Sequence, residues 1–590
     1  MKVIRRFSAT AAVLAGLGVA ACSDSNDGGT GPSPLAAPAG VSATQLSLTS
    51  IRVSWTAASG ATGYLVERAD AANPGSFTQV GGGVLESPPF DDDVTAGVVY
   101  SYRVASVSAA DTSAFSAPVT STTGLTTATL TGPITASRTL YSDTVYTLSG
   151  YVKVANGATL TIQPGTTIIG DTTQAGSSLW ILRGARIDAQ GTPDAPIVFT
   201  SARSPGNRKP GDWGGVIIIG NGVINRTGAT INTEGGAAGV AENYAGGSDN
   251  NDNSGTLRYV RIEFAGYDIS NGAGQELNAL SSYAVGRGTT YEYIQTMSGL
   301  DDSFEYWGGA VDGRYLVSYE SGDDHFDWTE GYQGRNQFLI ALQTQRLTPQ
   351  SGAGVFSSDP RGFEGDGCDP VPGSGCTVTN APSGAGASTP YSMPVWANFT
   401  LIGTGQLGGF PTDGNGAVLR RGTGGTLFNG IIARFPGTGL QIRDAFTDSL
   451  RLRDSLNIAN LILAENGPSA APTNYDADGA DVLGSCSGGA DVESCRRFAQ
   501  AAKFAGSNHQ VGTAAAGLVG SLNPSGLDWT PQATAGQPDP TTGGSTVVPA
   551  HFDARTAGFF GAAMPKTGYI GAADPAGAKW WEGWTSYNIN

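Results

Sequence analysis

Short runs of strand-forming residues recur along much of this chain about every 20 residues, with few helical patterns between them. Three sets of apolar residues carry the recurrence: Leu160, Leu179, Val198 and Ile217, together with Ile168 and Ile187, at an interval of 19; Ile294, Leu316 and Phe338 at 22; and Leu419, Leu440 and Leu461 at 21. A repeat of this length built from β runs indicates a solenoid, in which stacked coils bury one continuous core.

Composition agrees with many short strands joined by tight turns. Gly 87 is roughly double the usual content for a chain of this length. Three Gly-, Ser-, Asn- and Pro-rich segments interrupt the repeat, at residues 222–254, 343–393 and 464–550, and we expect each to leave the coils as a loop. The third contains "DVESCRRFAQAAKF", which predicts a short helix.

A different pattern precedes the repeat. In residues 38–123, the words "SIRVSW", "GYLVERA" and "VYSYRVASV" alternate apolar and polar residues, and about seven such runs predict a small antiparallel sandwich. This segment resembles a fibronectin type III domain, with Trp55 as its core tryptophan and Tyr100 as its tyrosine corner. Such modules usually space or present other domains, so no chemistry is assigned to it.

The repeat region also resembles a known family. Its words "GATLTIQPGTTIIG", "DNSGTLRYVRIEFAG", "GAVLRRGTGGTLFNGIIARFPG" and "WWEGWT" are similar to those of right-handed parallel β-helices of the pectin-lyase-like superfold, in a family of bacterial surface lipoproteins. The resemblance covers most of residues 126–590. It implies an all-β chain, in which an antiparallel fibronectin type III sandwich is followed by a right-handed parallel β-helix.

The N-terminus predicts export. Residues 1–22 carry basic residues, an apolar run and the ending "VAAC", which reads as a signal peptide with a lipobox. Cleavage before Cys22 and acylation of its sulfur would anchor the protein to a membrane. Residues 23–37 form a flexible tether. Because Ser23 and not aspartate follows Cys22, we expect the outer membrane or cell surface.

The other four cysteines form two locally spaced pairs, Cys368 with Cys376 and Cys486 with Cys495. An oxidising compartment would let each pair close a small loop as a disulfide. Metal ligation is the alternative, but neither pair has the short spacing or the nearby histidine of a zinc site.

An acidic motif occurs twice. "SGLDDSFEYWGG" and "SGDDHFDWTEGY" place Asp301 and Glu305 22 residues before Asp323 and Asp327. In stacked parallel coils such residues lie above one another about 4.8 Å apart, so like charges would meet and need compensation. If Phe304 points inward, alternation directs Glu305 outward.

Three interpretations of the repeated carboxylates remain open. Arg314 and Arg335, which also recur, could pair with the carboxylates in a structural ladder. Calcium could bind Asp301, Glu305, Asp323 and Asp327, because it prefers clustered oxygen ligands. The same four carboxylates, with His325 beside them, could instead be catalytic acids and bases. The Gly-His-Gly and Arg-Ile-Lys segments of polygalacturonases do not occur here.

Two smaller features suggest sites. Asp249 and Asp252 in "GGSDNNDNSG" could ligate a cation or simply form turns. The tryptophans of "KWWEGWTSYN", Trp580, Trp581 and Trp584, could form a sugar-binding platform or cap the open end of the solenoid. No nucleotide-binding loop or redox cofactor is expected, and a net charge of −17 argues against nucleic acid as a partner.

These features predict a lipid-anchored surface protein that binds or adheres to an extracellular polysaccharide through its β-helix. The alternatives are a polysaccharide lyase or glycoside hydrolase that uses clustered carboxylates or calcium, and a non-catalytic surface spacer. The fold itself does not decide among them, because it hosts all three kinds of protein.

Overall fold

The computed structural model describes residues 35–47, 49–70, 73–95, 98–122, 126–235, 239–270, 275–368, 375–378, 384, 386–405, 414–467, 475–476, 510–512, 514–542, 544, 549 and 551–589. Cys22, Cys486 and Cys495 lie outside these residues, as do the signal peptide, most of the tether and the predicted helix in "DVESCRRFAQAAKF". In the part of the chain that is described, no helix has the length and apolarity needed to cross a membrane.

Nearly all the regular secondary structure of the described residues is β-strand. The strands are β1 Ala39–Ser47, β2 Ser50–Thr56, β3 Gly63–Asp70, β4 Thr78–Leu85, β5 Phe90–Asp93, β6 Val99–Val107, β7 Val119–Thr122, β8 Thr126–Ile134, β9 Arg138–Leu140, β10 Thr144–Val154, β11 Thr159–Ile162, β12 Thr167–Gly170, β13 Ser178–Ile181, β14 Arg186–Gln190, β15 Ile197–Ser201, β16 Gly215–Ile219, β17 Gly255–Glu263, β18 Tyr267–Asp268, β19 Glu276–Leu277, β20 Leu280–Tyr283, β21 Thr290–Met297, β22 Phe304–Trp307, β23 Asp312–Tyr319, β24 Phe326–Thr329, β25 Arg335–Leu342, β26 Arg361–Asp366, β27 Val395–Ile402, β28 Asn415–Arg420, β29 Gly425–Ala433, β30 Leu440–Ile442, β31 Leu456–Ala464, β32 Tyr475–Asp476, β33 Gln510–Gly512, β34 Val519–Ser521 and β35 Asp528–Pro531. The helices are α1 Ala445–Leu452, α2 Phe552–Thr556 and a 3-10 turn at Ala515–Gly517.

The chain divides into two compact units. The first contains Arg52–Asp92 and Val99–Ser121 together with the described residues up to Thr44. Two small sheets lie in this region, ordered β1-β2-β5 and β4-β3-β6-β7, and β3 pairs antiparallel with both β4 and β6. Alternation places Trp55 in the core, 5.2 Å from the ring of Tyr64. Antiparallel sheets were predicted for this part of the chain, and the structure confirms them.

The second unit, mainly Thr122–Asn590, is a parallel β-helix with three faces, built on one sheet of 24 strands. Each later coil uses one short strand and one long strand that bends at a corner between two faces. Face A contains β11, β14 and the first halves of β17, β21, β23, β25, β27, β29 and β31; face B contains β12, β15 and the second halves of the same long strands; face C contains β13, β16, β20, β22, β24, β26, β28, β30 and β32. The predicted parallel β-helix is therefore confirmed.

The coil length differs from the predicted repeat at the start of the β-helix. Leu160 lies beside Ile187 on face A, which makes that coil 27 residues long. The predicted interval of 19 is wrong because it joins residues on different faces: Leu179 lies on face C, beside Val216. Each coil contributes an apolar strand to each of the three faces, so apolar residues on different faces also recur at a nearly regular interval along the sequence.

The later intervals are only partly correct. Ile294 lies beside Leu316 as predicted, but Leu316 continues to Leu339 and not to Phe338. Leu419 lies beside Ile442, so the predicted alignment with Leu440 is two residues out of register. A shift of two residues keeps a side chain on the same face of a strand. The apolar pattern therefore could not distinguish the two registers.

Two of the predicted loops return to the sheet before they end. The segment 343–393 contributes β26, and the segment 464–550 contributes β32 and β33. Residues 222–254 contribute no strand to the large sheet among those described, as expected of a loop. Cys368 and Cys376 form the predicted disulfide, with a Cα–Cα distance of 5.9 Å.

The C-terminal segment does not cap the end of the solenoid. It runs back along the outside of the coils: Asn460 donates to the carbonyl of Gly544, Asn398 donates to Thr567, and Gln295 of a much earlier coil donates to the carbonyl of Ser586. The segment covers the apolar outer side of face B, where Ile340 and Ile462 pack in one cluster with Trp581 and Trp584. The predicted end cap is therefore wrong.

Candidate functional site

The repeated acidic motifs lie on the outer side of face C. Register pairs Ser281 with Glu305, Glu305 with Asp327, and Asp327 with Glu364 on four neighbouring strands. Phe304 and Phe326 point inward and stack with their ring centroids 5.1 Å apart. Strand alternation therefore places three carboxylates in one outward row.

The second aspartate of each "DD" pair connects neighbouring coils. The side chain of Asn278 accepts a hydrogen bond from the backbone N–H of Asp302 (3.1 Å), Asp302 accepts one from Asp324 (2.8 Å), and Asp324 accepts one from Arg361 (2.5 Å). Each coil thus fixes the turn of the next. This ladder is a structural reason for the repeat, but it does not involve the first aspartates, Asp301 and Asp323.

The carboxylates converge closely. Three overlapping groups have oxygen atoms that all lie within 4.8 Å of one another: Asp301, Asp302 and Asp323; Asp302, Glu305 and Asp327; and Asp324, Asp327 and Glu364. We call these seven residues the carboxylate band. The band contains all four residues that the sequence suggested as calcium ligands, Asp301, Glu305, Asp323 and Asp327.

Arginines neutralise one end of the band. Arg361 Nη1 lies 3.2 Å from Asp324 and 2.6 Å from Glu364, and Arg420 lies 2.7 Å from Glu364. Asp366, which lies beside Arg420 in register, pairs with both Arg420 and Arg421. We call this region the arginine end.

The arginines predicted to compensate the repeat do not reach it. Arg314 pairs with Glu292, and Arg335 pairs with Asp312, both on face A. The predicted Arg314 and Arg335 ladder is therefore wrong. It failed because the "DGR" and "QGR" words belong to the next face of the coil, where they build ion pairs of their own.

The other end of the band lacks such cations. Among the described residues, no lysine or arginine forms an ion pair with Asp301, Glu305 or Asp323. Glu276 and Glu234 add two further carboxylates, and both act on Asp301. We call this region, comprising these five residues, the open end.

The pKa values reflect this crowding. The pKa values of Asp301 and Glu305 are raised well above the usual range of a carboxyl group, first by burial and then by neighbouring carboxylates. The same two causes raise the pKa of Glu234 to about 8 and that of Glu276 to about 6. Asp301 and Glu305 keep part of their surface exposed, although protein atoms surround their carboxyl groups on most sides. Small cations can therefore reach a site where negative charge is costly.

The donor set suits calcium. Calcium binds six to eight oxygens at 2.3–2.6 Å, so two ligands of one ion lie at most about 5 Å apart, and each group in the band meets that limit. Asp323 Oδ1 and Asp327 Oδ1 are buried and receive no hydrogen bond. Buried polar atoms normally have a partner, and a cation in the group of each residue would supply one.

Other predicted ligands and catalytic residues lie elsewhere or are enclosed. Asp249 Oδ1 accepts the backbone N–H of Asn251 in a turn, Asp252 bonds Ser254, and neither joins a cluster of three ligands in the described chain. His325 is 2% exposed and bonds Ser318 at 2.6 Å. Burial lowers the pKa of His325 to about 3, so it is neutral and structural.

The tryptophans are also largely enclosed. Trp581 and Trp584 are 2% and 1% exposed, which excludes them as an open platform for sugars. Trp580 remains partly exposed, and its indole N–H donates to the carbonyl of Ala572. The sugar-binding prediction therefore fails for two of the three rings.

Sequence reasoning did not connect several members of the site to the acidic repeat. Glu364 lies beside Asp327 in register but follows it by 37 residues, because a loop intervenes. Only the length of that loop hides the repeat, since "FEGD" preserves the Phe-acidic pattern of "FEYW" and "FDWT". Glu276 and Glu234 carry no motif, and tertiary packing alone brings them to the open end.

Arg443 was also missed. It follows β30 directly, at the position beside Arg420 when the register of β28 and β30 is continued. Its Nε donates to the neutral side chain of Gln441 (2.7 Å), and no carboxylate among the described residues pairs with it. Burial, and then the charges of Arg361 and Arg420, lower the pKa of Arg443.

Comparison with known proteins identifies the family. A model described as "Pectate-lyase like beta helix domain" matches residues 132–513, close to two-thirds of the chain. The chain therefore belongs to this family of pectate-lyase-like β-helix proteins. No curated protein matches it.

Several solved structures match a small part of the chain. They include a Fn3-like protein from Clostridium thermocellum (30% identity, 15% of this chain, 92% of that chain, TM-score 0.14), titin module A71 from human cardiac muscle (23%, 15%, 93%, 0.14) and the FN5 domain of Drosophila Lar (24%, 15%, 95%, 0.13). At these TM-scores the matches carry no argument about fold. The assignment of residues 38–123 as a fibronectin type III domain stays a prediction.

Proposed function

We propose that this protein is a surface protein, anchored through Cys22, that binds acidic polysaccharides with calcium held by the carboxylate band. The family suggests a function related to polysaccharides. The observation that carries the proposal is the open end, where Asp301 and Asp323 share a group of oxygens within 4.8 Å and have no paired cation.

The chemistry of the ligand follows from charge. A bare carboxylate band repels a uronate polymer, so an acidic glycan requires a cation between the two. Calcium can retain open coordination positions for carboxylates of the glycan, because its coordination is flexible.

Binding of polygalacturonate and alginate to the full-length protein tests the proposal. We expect retention on either polymer in calcium and release in EDTA. The Asp301→Asn/Asp323→Asn variant should lose retention, whereas Asp249→Asn/Asp252→Asn should bind normally because its carboxylates lie in turns. Equal retention in calcium and EDTA would overturn the proposal.

A second candidate function is cleavage of the same polymers by β-elimination. Arg443 favours it, since this partly buried cation lies beside the arginine end, bonds only the neutral side chain of Gln441 and forms no ion pair with a described carboxylate. A lyase product absorbs in the ultraviolet, so incubation with polygalacturonate in calcium would reveal activity. Loss of that absorbance in Arg443→Gln, with binding retained, would support catalysis.

A further inference from the structure

A cavity that differs chemically from the carboxylate band lies at the corner between faces A and B. It has a volume of about 720 Å³ and lies between the coils and the C-terminal segment. Its lining is aromatic, from Tyr293, Tyr315, Phe338, Tyr569 and Trp580, with Thr541, Lys566 and Asp574 among its polar residues. Cavities of about 300–1,000 Å³ are typical of small-molecule sites.

The corner residues explain how the rings come together. Seven successive coils have a left-handed residue at this position: Tyr259, Tyr293, Tyr315, Phe338, Asn398, Asn429 and Asn460. Asn adopts this conformation readily, whereas a bulky aromatic residue rarely does. The three Asn side chains bond the C-terminal segment or one another, which gives them a structural role.

The four aromatic corners form a continuous stack. Ring centroids are 4.3 Å apart for Tyr259 and Tyr293, 4.4 Å for Tyr293 and Tyr315, and 5.0 Å for Tyr315 and Phe338, with nearly parallel planes. Trp580 lies 5.2 Å from Tyr315 at a tilt of 56°. At one end of the stack, Trp584 covers the ring of Tyr259, so packing explains this aromatic residue. The rings of Tyr315 and Phe338 instead border the cavity.

The lining identifies the class of ligand. Sugars present apolar C–H surfaces together with hydroxyl groups, and rings of Tyr and Trp combine apolar contact with hydrogen bonding. Trp580 is held in place by its bond to Ala572, so its ring is fixed and its N–H is already satisfied. Lys566 is already paired with Asp553 (2.8 Å), and Asp574 does not belong to a cluster of charged groups among the described residues, so the lining favours an uncharged ligand, in contrast to the carboxylate band.

We propose that this corner cavity is a binding site for a neutral oligosaccharide, with Tyr315 and Trp580 as its central contacts. The site is separate from the carboxylate band and needs no calcium. It would give the protein two glycan contacts of different chemistry on different sides of the β-helix. It does not depend on the function proposed above.

Calorimetric titration of the full-length protein with cellohexaose, xylohexaose and mannohexaose, in EDTA, tests this site. We expect saturable binding of at least one of them, weakened about tenfold or more by Tyr315→Asn. Asn suits the left-handed backbone at this corner, so the variant should fold and unfold cooperatively. Trp580→Ala should weaken binding similarly.

Two controls separate the site from its surroundings. Tyr259→Asn removes the same kind of ring from the same stack outside the cavity and should leave affinity unchanged. Asp301→Asn/Asp323→Asn should also bind the neutral sugar normally, whatever its effect on polygalacturonate. Absence of binding by all three sugars, or equal binding by wild type and Tyr315→Asn, would overturn the proposal.

Discussion

The arginine end and the open end of the carboxylate band face the same electrostatic problem. At the arginine end, Glu364 is 8% exposed but lies within 2.7 Å of both Arg361 and Arg420. At the open end, Glu276 crowds Asp301 and Asp323; no described lysine or arginine forms an ion pair with either, and Arg361 acts on Asp323 only from beyond ion-pair distance. The protein therefore compensates the arginine end with its own side chains, whereas the open end can be compensated by a cation from solution.

The comparison also separates structure from function within one motif. Asp302 and Asp324 bond backbone N–H groups of the next coil, which the stack itself requires. Asp301 and Asp323 have no such role in the ladder. If this division is correct, the two ends should respond differently to substitution, pH and calcium.

The largest effect is expected from removing an arginine. Arg361→Gln would leave Asp324 buried without its cation and Glu364 with Arg420 alone, and breaking a buried pair in this way typically costs about 3–5 kcal/mol of the free energy of unfolding. Denaturant unfolding measures the loss. A loss below about 1 kcal/mol would mean that the arginine end is not held by these pairs.

The open end should make stability depend on pH. Burial and like charge raise the pKa of Glu234 to about 8 and that of Glu276 to about 6 in the folded protein. The folded state then binds more protons than the unfolded state, so stability falls as pH rises from about 4.5 to 8. In EDTA, we expect the melting temperature to decrease between pH 5 and pH 8. Saturating calcium should lessen that decrease without abolishing it, because burial also raises the pKa of Glu320 and of Glu364, outside the open end, to about 7. A slope unaffected by calcium would contradict the account.

Neutralising the open end should stabilise the protein when calcium is absent. Asp301→Asn/Asp323→Asn removes two crowded carboxylates and should raise the free energy of unfolding in EDTA by about 1–3 kcal/mol. In calcium the order should reverse, because the wild type gains the energy of binding. Denaturant unfolding in both conditions shows whether the two curves cross.

The smallest effect is expected on face A. Arg314 pairs with Glu292 and its side chain is 36% exposed, so Arg314→Gln should cost about 0–1 kcal/mol. It is the matched comparison for Arg361→Gln, since both remove one arginine from an ion pair. A loss as large as that of Arg361→Gln would show that burial does not distinguish the two faces.

The sequence predicted the architecture better than its dimensions. The repeated β runs were sufficient for an all-β solenoid, and the family resemblance for a parallel β-helix, but neither was sufficient for the register of the strands. Leu160 and Leu179 belong to different faces, and apolar periodicity alone cannot assign faces. The acidic motifs located Asp301, Glu305, Asp323 and Asp327, since equal spacing implies stacking.

What the sequence could not give depends on loops and on distant segments. Glu364 joins the band across a loop, and Glu234 reaches Asp301 from a segment outside the large sheet. The path of the C-terminal segment was also hidden, because bonds such as that between Gln295 and Ser586 join residues 291 positions apart. Local patterns carry no record of such contacts.

Calorimetric titration of calcium into the full-length protein tests the central claim most directly. The account predicts saturable binding that Asp301→Asn/Asp323→Asn abolishes and Asp249→Asn/Asp252→Asn leaves intact. No binding by the wild type, or equal binding by wild type and the Asp301→Asn/Asp323→Asn variant, would contradict a cation site at the open end.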